Sequence, residues 1–212
     1  MIKKIYLLSP TKKEDTIHTP TIEIKFLDRE ILERDFNTLI FSSKNGVKAL
    51  NRVLENWQKF PAIAVGKGTE KEILRLNGTV LDSPESSYGE NIAELILKKH
   101  SNREFLYIRP EKIVSKMPEI LKDNSIKFSE ATLYKTLCRE VEKIDDNSIV
   151  IVSSPSTINC LLKYQRPPNS TIFVAIGKKS YRAVPKEFKS YIAPHQTLQS
   201  SIEFAKSLVI NS

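Results

Sequence analysis

The sequence predicts an α/β protein: two similar doubly wound parallel-sheet lobes, joined by a two-stranded linker, with a cleft between them. An apolar strand ending in paired serines occurs twice, as Leu39-Ile40-Phe41-Ser42-Ser43 and as Ile149-Val150-Ile151-Val152-Ser153-Ser154. A second matched element follows each, Ile63-Ala64-Val65-Gly66-Lys67-Gly68-Thr69 and Val174-Ala175-Ile176-Gly177-Lys178-Lys179-Ser180. Gly66 lies 23 positions after Ser43, and Gly177 lies 23 after Ser154. Two unlike elements repeated at one spacing mark an internal duplication. Strands alternating with helices then imply parallel sheets covered on both faces.

Taken in order, residues 2–8 read as a buried first strand. Residues 9–20 are polar, flanked by Pro10 and Pro20, and too short for a strand-helix-strand crossover. Residues 21–27 begin by alternating apolar and polar, as a half-exposed ribbon does. Residues 31–36 read as a short helix. The first Ser-Ser strand leads into a helix over 45–57, with Val47, Leu50, Val53, Leu54 and Trp57 at helical spacing. A strand at 60–65 follows, then a helix from the Gly66 turn to Leu76. Asn77-Gly78 ends that helix, because both residues tolerate a left-handed backbone.

A short strand at 79–81, a loop at 82–89, a helix at 91–99, a strand at 104–108 and a helix at 116–122 come next. Residues 128–139 place Thr132, Tyr134 and Thr136 on one face and Leu133, Lys135 and Leu137 on the other. This second ribbon is a candidate to pair with 21–27. After residue 147 the pattern restarts. The second Ser-Ser strand is followed by a helix to Tyr164, a strand at 171–176, a helix, a short strand at 191–192 and a closing helix at 202–209. The first strand has no sheet unless it joins the second copy. Residues 1–20 and 140–212 are therefore expected to form one lobe and residues 30–128 the other, with 21–29 and 129–139 as linkers.

The chain has 212 residues, with 33 Lys and Arg against 25 Asp and Glu, a net charge of +8. That balance suits a nucleic acid, a membrane surface or an acidic small molecule. The charges are dispersed, and there is no zinc-finger spacing or aromatic RNA-binding motif, so no nucleic-acid partner is expected. The basic start is followed by an apolar run that stops at Leu8, short of a signal peptide, and no run would span a bilayer. Cys138 and Cys160 form no metal or redox motif and read as reduced thiols of a cytoplasmic protein. His18, His100 and His195 have no metal-ligand spacing and read as surface residues.

In open parallel sheets, ligands bind beyond the carboxyl ends of the strands. Ser42, Ser43, Asn45, Ser153, Ser154 and Ser156 sit there, where strand becomes helix. Helix starts offer free N–H groups and a partial positive charge, which together hold anions without a metal. Gly66 and Gly177 allow close backbone approach, and Thr69 and Ser180 follow three positions on. The competing reading of each residue is plain helix capping or a tight turn. The motifs of phosphate loops, dinucleotide folds and serine hydrolases are incomplete or missing. The pattern therefore points to a site of hydroxyls and amides, with no cofactor and no metal, that binds and shapes a polyanion.

The motifs in sequence order resemble the uroporphyrinogen-III synthase family. They are Phe41-Ser42-Ser43, Val65-Gly66-Lys67-Gly68-Thr69, Ile108-Arg109-Pro110, Leu133-Tyr134-Lys135-Thr136, Ser154-Pro155-Ser156 and Ile176-Gly177-Lys178-Lys179-Ser180. Pro110 stands where the family has glycine, Ser180 where it has threonine, and Leu8-Ser9-Pro10 where it has Thr-Arg-Pro. The resemblance implies a cofactor-free cyclisation of hydroxymethylbilane, a linear tetrapyrrole, with inversion of its last ring. It puts Tyr134 in the family's tyrosine position, as a general acid on the departing hydroxyl. Substrate contacts are expected from Ser42, Ser43, Asn45, Gly66, Thr69, Arg109, Ser154, Ser156, Gly177 and Ser180. The expected setting is a cytoplasmic monomer without nucleic-acid or membrane partners, in transient contact with the preceding pathway enzyme. Two other classes share the layout: a bilobal binding protein for an acidic small molecule, which turns nothing over, and a scaffold on a duplicated α/β fold.

Overall fold

In the computed structural model, which describes residues 4–31, 36–84, 89–113 and 115–210, the first strand is β1 (Ile5–Leu8), with all four side chains buried. β2 (Ile17–His18) and β3 (Ile22–Phe26) follow. The first Ser-Ser strand is β4 (Thr38–Phe41), and α1 (Lys44–Val53) starts directly after it. Next come β5 (Ala62–Ala64), α2 (Lys67–Arg75), β6 (Val80–Asp82), α3 (Gly89–Lys99) and β7 (Phe105–Pro110). α4 (Met117–Asp123) leads to the long β8 (Phe128–Cys138). The second Ser-Ser strand is β9 (Ile149–Val152), followed by α5 (Pro155–Tyr164), β10 (Ile172–Ala175), α6 (Lys178–Arg182), β11 (Lys189–Ile192) and α7 (Leu198–Ile210). The helix expected at 31–36 falls largely on residues 32–35, outside the described residues.

The chain divides into a split unit, Met1–Glu23 with Leu137–Ser212, and a continuous unit, Ile24–Thr136. The split unit holds a five-stranded sheet in the order β2-β1-β9-β10-β11, parallel throughout. The other sheet runs β6-β5-β4-β7-β8-β3, parallel from β6 to β8. Numbered within each unit, these orders are 2-1-3-4-5 and 3-2-1-4-5 (setting β3 aside), the two common doubly wound arrangements. Both share one β-α-β-α-β-α segment. Two further parallel strands flank its first strand, supplied before the segment in the split unit and after it in the continuous one. β3 runs antiparallel to β8: Leu27 N–H donates to Leu133 O (2.8 Å), and Arg139 N–H donates to Thr21 O (2.8 Å).

Alternation along the central strands sends successive side chains to opposite faces. Leu39 and Phe41 pack with Val47 and Leu50 of α1 and with Ile73 of α2. Ile40, between them, packs with Ile92 and Ile96 of α3 and with Met117 and Leu121 of α4. In the split unit, Val150 and Val152 pack with Ile158 and Leu161 of α5, and Ile149 and Ile151 with Ile202 and Ala205 of α7. Each of these except the small Ala205, fully buried, contributes about 1.5–3 kcal/mol.

Three expectations are corrected. First, the α1 helix stops at Val53 rather than running to Trp57. Asn56 takes a left-handed conformation (φ 55°) and Trp57 begins a separate 3-10 turn. The apolar spacing continued because helix and turn bury onto one core. Second, residues 9–20 hold no crossover helix, as expected, but they add a strand the polar stretch did not suggest, β2, which pairs in parallel with β1. Two residues at a sheet edge need no crossover helix. Third, Cys138 and Cys160 are not free thiols but a disulfide, with Cα atoms 5.1 Å apart. The 22-residue separation concealed that the last residue of β8 lies against α5. The bond removes the reduced-thiol ground for a cytoplasmic setting.

Candidate functional site

In the continuous unit, α1 covers one face of the sheet and α4 the other. The chain therefore leaves the neighbouring strands β4 and β7 in opposite directions. That divergence opens a crevice at the carboxyl ends of the two strands, the usual ligand position in such sheets. Ser42 and Ser43 stand at this point because they follow β4 directly. Ser43 is the N-cap of α1, and its Oγ accepts the Asn45 N–H at 3.1 Å. Ser42, Ser43 and Asn45 are all partly exposed, and α1 has no acidic residue in its first turn to occupy its positive end. A Cβ on Gly46 would lie 3.3 Å from the Ile108 carbonyl oxygen, so α1 sits directly on β7.

Two buried phenols face these serines. Tyr107 of β7, 1% exposed, has its Oη 3.1 Å from Ser42 Oγ. Burial raises the Tyr107 pKa, with the Ser42 hydrogen bond opposing and the Glu130 charge reinforcing the rise. Tyr134 of β8 is 4% exposed. Burial pushes its pKa up to about 12, against a hydrogen bond with Ser43 and with a smaller upward push from Tyr107. Its carbonyl accepts the Glu111 N–H at 2.9 Å.

Arg109, also on β7, turns its Nη1 onto the Pro110 carbonyl (3.1 Å) and the Glu111 carbonyl (3.4 Å). Its Nε is buried without an aligned hydrogen bond, 3.4 Å from Glu130 Oε1. The β7–β8 register shifts between Arg109 and Pro110. Proline has no N–H to give the ladder, and pairing resumes one residue out of register, with Pro110 opposite Tyr134 and the Glu111 N–H on the Tyr134 carbonyl. Gly66 is the N-cap of α2 with φ 74° and ψ 156°, a conformation that essentially only glycine adopts. Gly68 faces open space, whereas Thr69 is buried within the first turn.

The split unit repeats the layout with different contacts. Ser153 Oγ donates to the Leu8 carbonyl, tying β9 to β1 at their carboxyl ends. Ser154 caps α5 in a reciprocal box with Thr157, and Pro155 occupies the first turn. Ser156 is exposed beside them. Gly177 precedes α6 with an extended backbone, and its need is for space: a Cβ would come within 3.1 Å of the Gln196 side chain. Ser180 is buried.

The structure thus gathers Ser42, Ser43, Asn45 and Tyr134 at one strand end and sets Arg109 on the adjoining strand. It gathers Ser154 and Ser156 at the matching point of the other unit. Thr69, Ser180 and Gly177 are buried rather than open. Sequence reading missed Tyr107 and Glu130. Tyr107 lies inside the apolar run Phe105-Leu106-Tyr107-Ile108 and reads as core; only its phenol oxygen sets it apart. Among the described residues no three His, Cys, Asp or Glu side chains converge as a metal site. His100, expected at the surface, is largely buried with Nε2 3.0 Å from Asp82 Oδ2. Among the described residues no helix is long and apolar enough to cross a membrane.

The model of the family described as uroporphyrinogen-III synthase HemD matches residues 12–203. No curated protein matches the chain. Among solved structures, the fold is similar to uroporphyrinogen-III synthetase from Helicobacter pylori 26695, with a TM-score of 0.82 at 24% identity over 97% of this chain and 99% of that one. It is also similar to a mutant uroporphyrinogen III synthase from the extremely thermophilic bacterium Thermus thermophilus, with a TM-score of 0.65 at 9% identity over 99% of each chain. The wild-type Thermus thermophilus protein in another crystal form gives 0.54 at 11% identity, again over 99% of each chain.

Proposed function

The chain belongs to the uroporphyrinogen-III synthase family, and from that membership we infer that it cyclises hydroxymethylbilane to uroporphyrinogen III, inverting the last pyrrole ring and releasing water. The match across residues 12–203 is the observation that carries this reading. The substrate loses its terminal hydroxyl to give an electrophilic azafulvene. The last pyrrole attacks through its already substituted carbon, and the resulting spiro intermediate reopens and recloses. Without an enzyme the chain closes uninverted, so the protein's task is to hold the substituted carbon at the electrophile. Positioning of that kind contributes up to roughly 7–11 kcal/mol in ideal cases.

In this reading Tyr134 donates a hydrogen bond to the departing hydroxyl. With a pKa of about 12 its phenol stays protonated at any working pH. Ser42, Ser43, Asn45 and the amides at the start of α1 hold substrate carboxylates, as Ser154 and Ser156 do at the start of α5. Arg109 adds a fixed positive charge. Gly66 brings backbone close to the ligand, Gly177 leaves room for the Gln196 side chain, and the buried hydroxyls of Thr69 and Ser180 order the helix starts behind them. The protein works as a monomer, in the cytoplasm, without nucleic-acid or membrane partners. Because the substrate closes spontaneously, it must be used where it is made, which supports transient contact with the enzyme that supplies it.

The test is a coupled assay in which hydroxymethylbilane is generated in the presence and absence of the protein and the product isomers are separated. A shift from isomer I to isomer III is expected. Isomer I alone from folded protein would overturn the reading and leave a binding protein without turnover in its place.

A further inference from the structure

We propose that Tyr107 is a positioning residue: it fixes the Ser42 hydroxyl as a hydrogen-bond donor turned toward a carboxylate of the substrate. The proposal rests on the synthase reading and adds a residue that the sequence pattern does not mark.

The direction of the hydrogen bond follows from counting donors and acceptors. Each hydroxyl has one proton and two lone pairs. Tyr107 is 1% exposed, and Ser42 Oγ, at 3.1 Å, is its hydroxyl's hydrogen-bond partner among the described residues. If Ser42 donated, the phenol proton would be buried without an acceptor, at the cost of its desolvation. Tyr107 therefore donates. Ser42 Oγ accepts, and its own proton has no partner among the described residues. Ser42 is partly exposed at the end of β4, next to the start of α1, so that proton is available to an anion arriving there. Burial above all, with the Glu130 charge adding and Arg109 opposing, disfavours the phenolate and keeps Tyr107 in its donating form. The phenol is also rigidly placed. It stands on a strand buried from Phe105 to Ile108, whose backbone α1 contacts through Gly46.

The experiment compares wild type, Tyr107→Phe, Ser42→Ala and the double variant in the isomer-resolved assay. Thermal melting serves as the check on folding. Tyr107→Phe keeps the ring and its packing. Each single variant is expected to lower kcat/KM by about 3–10-fold, the size of one hydrogen bond, mainly through KM. The double variant should match either single one, because the phenol acts only through the serine. Unchanged kinetics in Tyr107→Phe, or effects that multiply in the double variant, would overturn the proposal. Should Tyr107→Phe fail to fold, Ser42→Ala decides alone, and an unchanged KM there overturns it equally. Wild-type protein that yields no isomer III would overturn the synthase reading and this proposal together, whereas variant failure beside an active wild type overturns this proposal only.

Discussion

Tyr134→Phe separates two contributions of one hydroxyl. The phenol pKa stands at about 12 in the folded chain against an ordinary value of 10.0, and burial is the main cause. Between those values the unfolded chain has lost its proton while the folded chain keeps it. Unfolding is then favoured as pH rises. The contribution of Tyr134 to stability is constant below about pH 10 and falls by roughly 2–3 kcal/mol in total by about pH 12, at about 1.4 kcal/mol per unit. Phenylalanine cannot titrate, so the variant lacks this component. The assay is urea denaturation at intervals from about pH 8 to about pH 11.5, with the wild-type and variant curves subtracted so that other tyrosines and lysines cancel. The difference should be flat to about pH 10 and then turn toward the variant.

At neutral pH the variant should remain folded and lose about 10–100-fold in the rate of isomer III formation, at or below the lower end for a donor that assists a leaving group, because this hydroxyl leaves easily. No limb of the pH-rate profile below about pH 10 should belong to this residue. Parallel denaturation curves would refute the buried, neutral phenol. Unchanged turnover would remove Tyr134 from the chemistry while leaving its burial intact.

The disulfide between Cys138 and Cys160 closes a loop of about 22 residues, so reducing it should destabilise the split unit by about 3 kcal/mol; identical denaturation with and without dithiothreitol would count against the bond. Gly66→Ala should cost about 1–3 kcal/mol, because φ 74° with ψ 156° strains any residue bearing a Cβ, and the melting temperature checks it. Ser154→Ala removes the cap of α5 and should cost about 1 kcal/mol, whereas exposed Ser156→Ala should stay within about 0.5 kcal/mol by denaturant titration.

The α/β class was legible because buried parallel strands are written as uninterrupted apolar runs, and Ile149–Val152 is one. The duplicated spacing exposed the repeated strand-helix segment for the same reason: each copy needs its serines and glycine at the same strand ends. What escaped has a common cause, namely partners brought together from distant segments. Cys138 and Cys160 carry no local sign of pairing. Tyr107 is indistinguishable from a core residue until its oxygen is seen against Ser42, 65 positions away. The end of α1 is hidden because a period in hydrophobicity records burial, and Trp57 is buried on the same core from a separate 3-10 turn outside α1. Burial of Thr69 and Ser180 was equally hidden, since a hydroxyl in a first helical turn looks the same in sequence whether it faces solvent or core.

The place of β1 has a consequence for synthesis on the ribosome. The continuous unit is made as one stretch, and it can complete its sheet core as soon as β8 has emerged. β1 is made before it, yet pairs with β9, roughly 140 residues later. At about 5–20 residues per second, Ile5–Leu8 waits something like 7–30 s for its neighbour. By the end of that wait an apolar strand, buried on both faces in the finished protein, trails from a unit that has already folded. Nascent chains of this protein should therefore be most open to chaperone capture and to misassociation after β8 and before β9. A ribosome stalled with β8 emerged and β9 still inside it would hold them in that state.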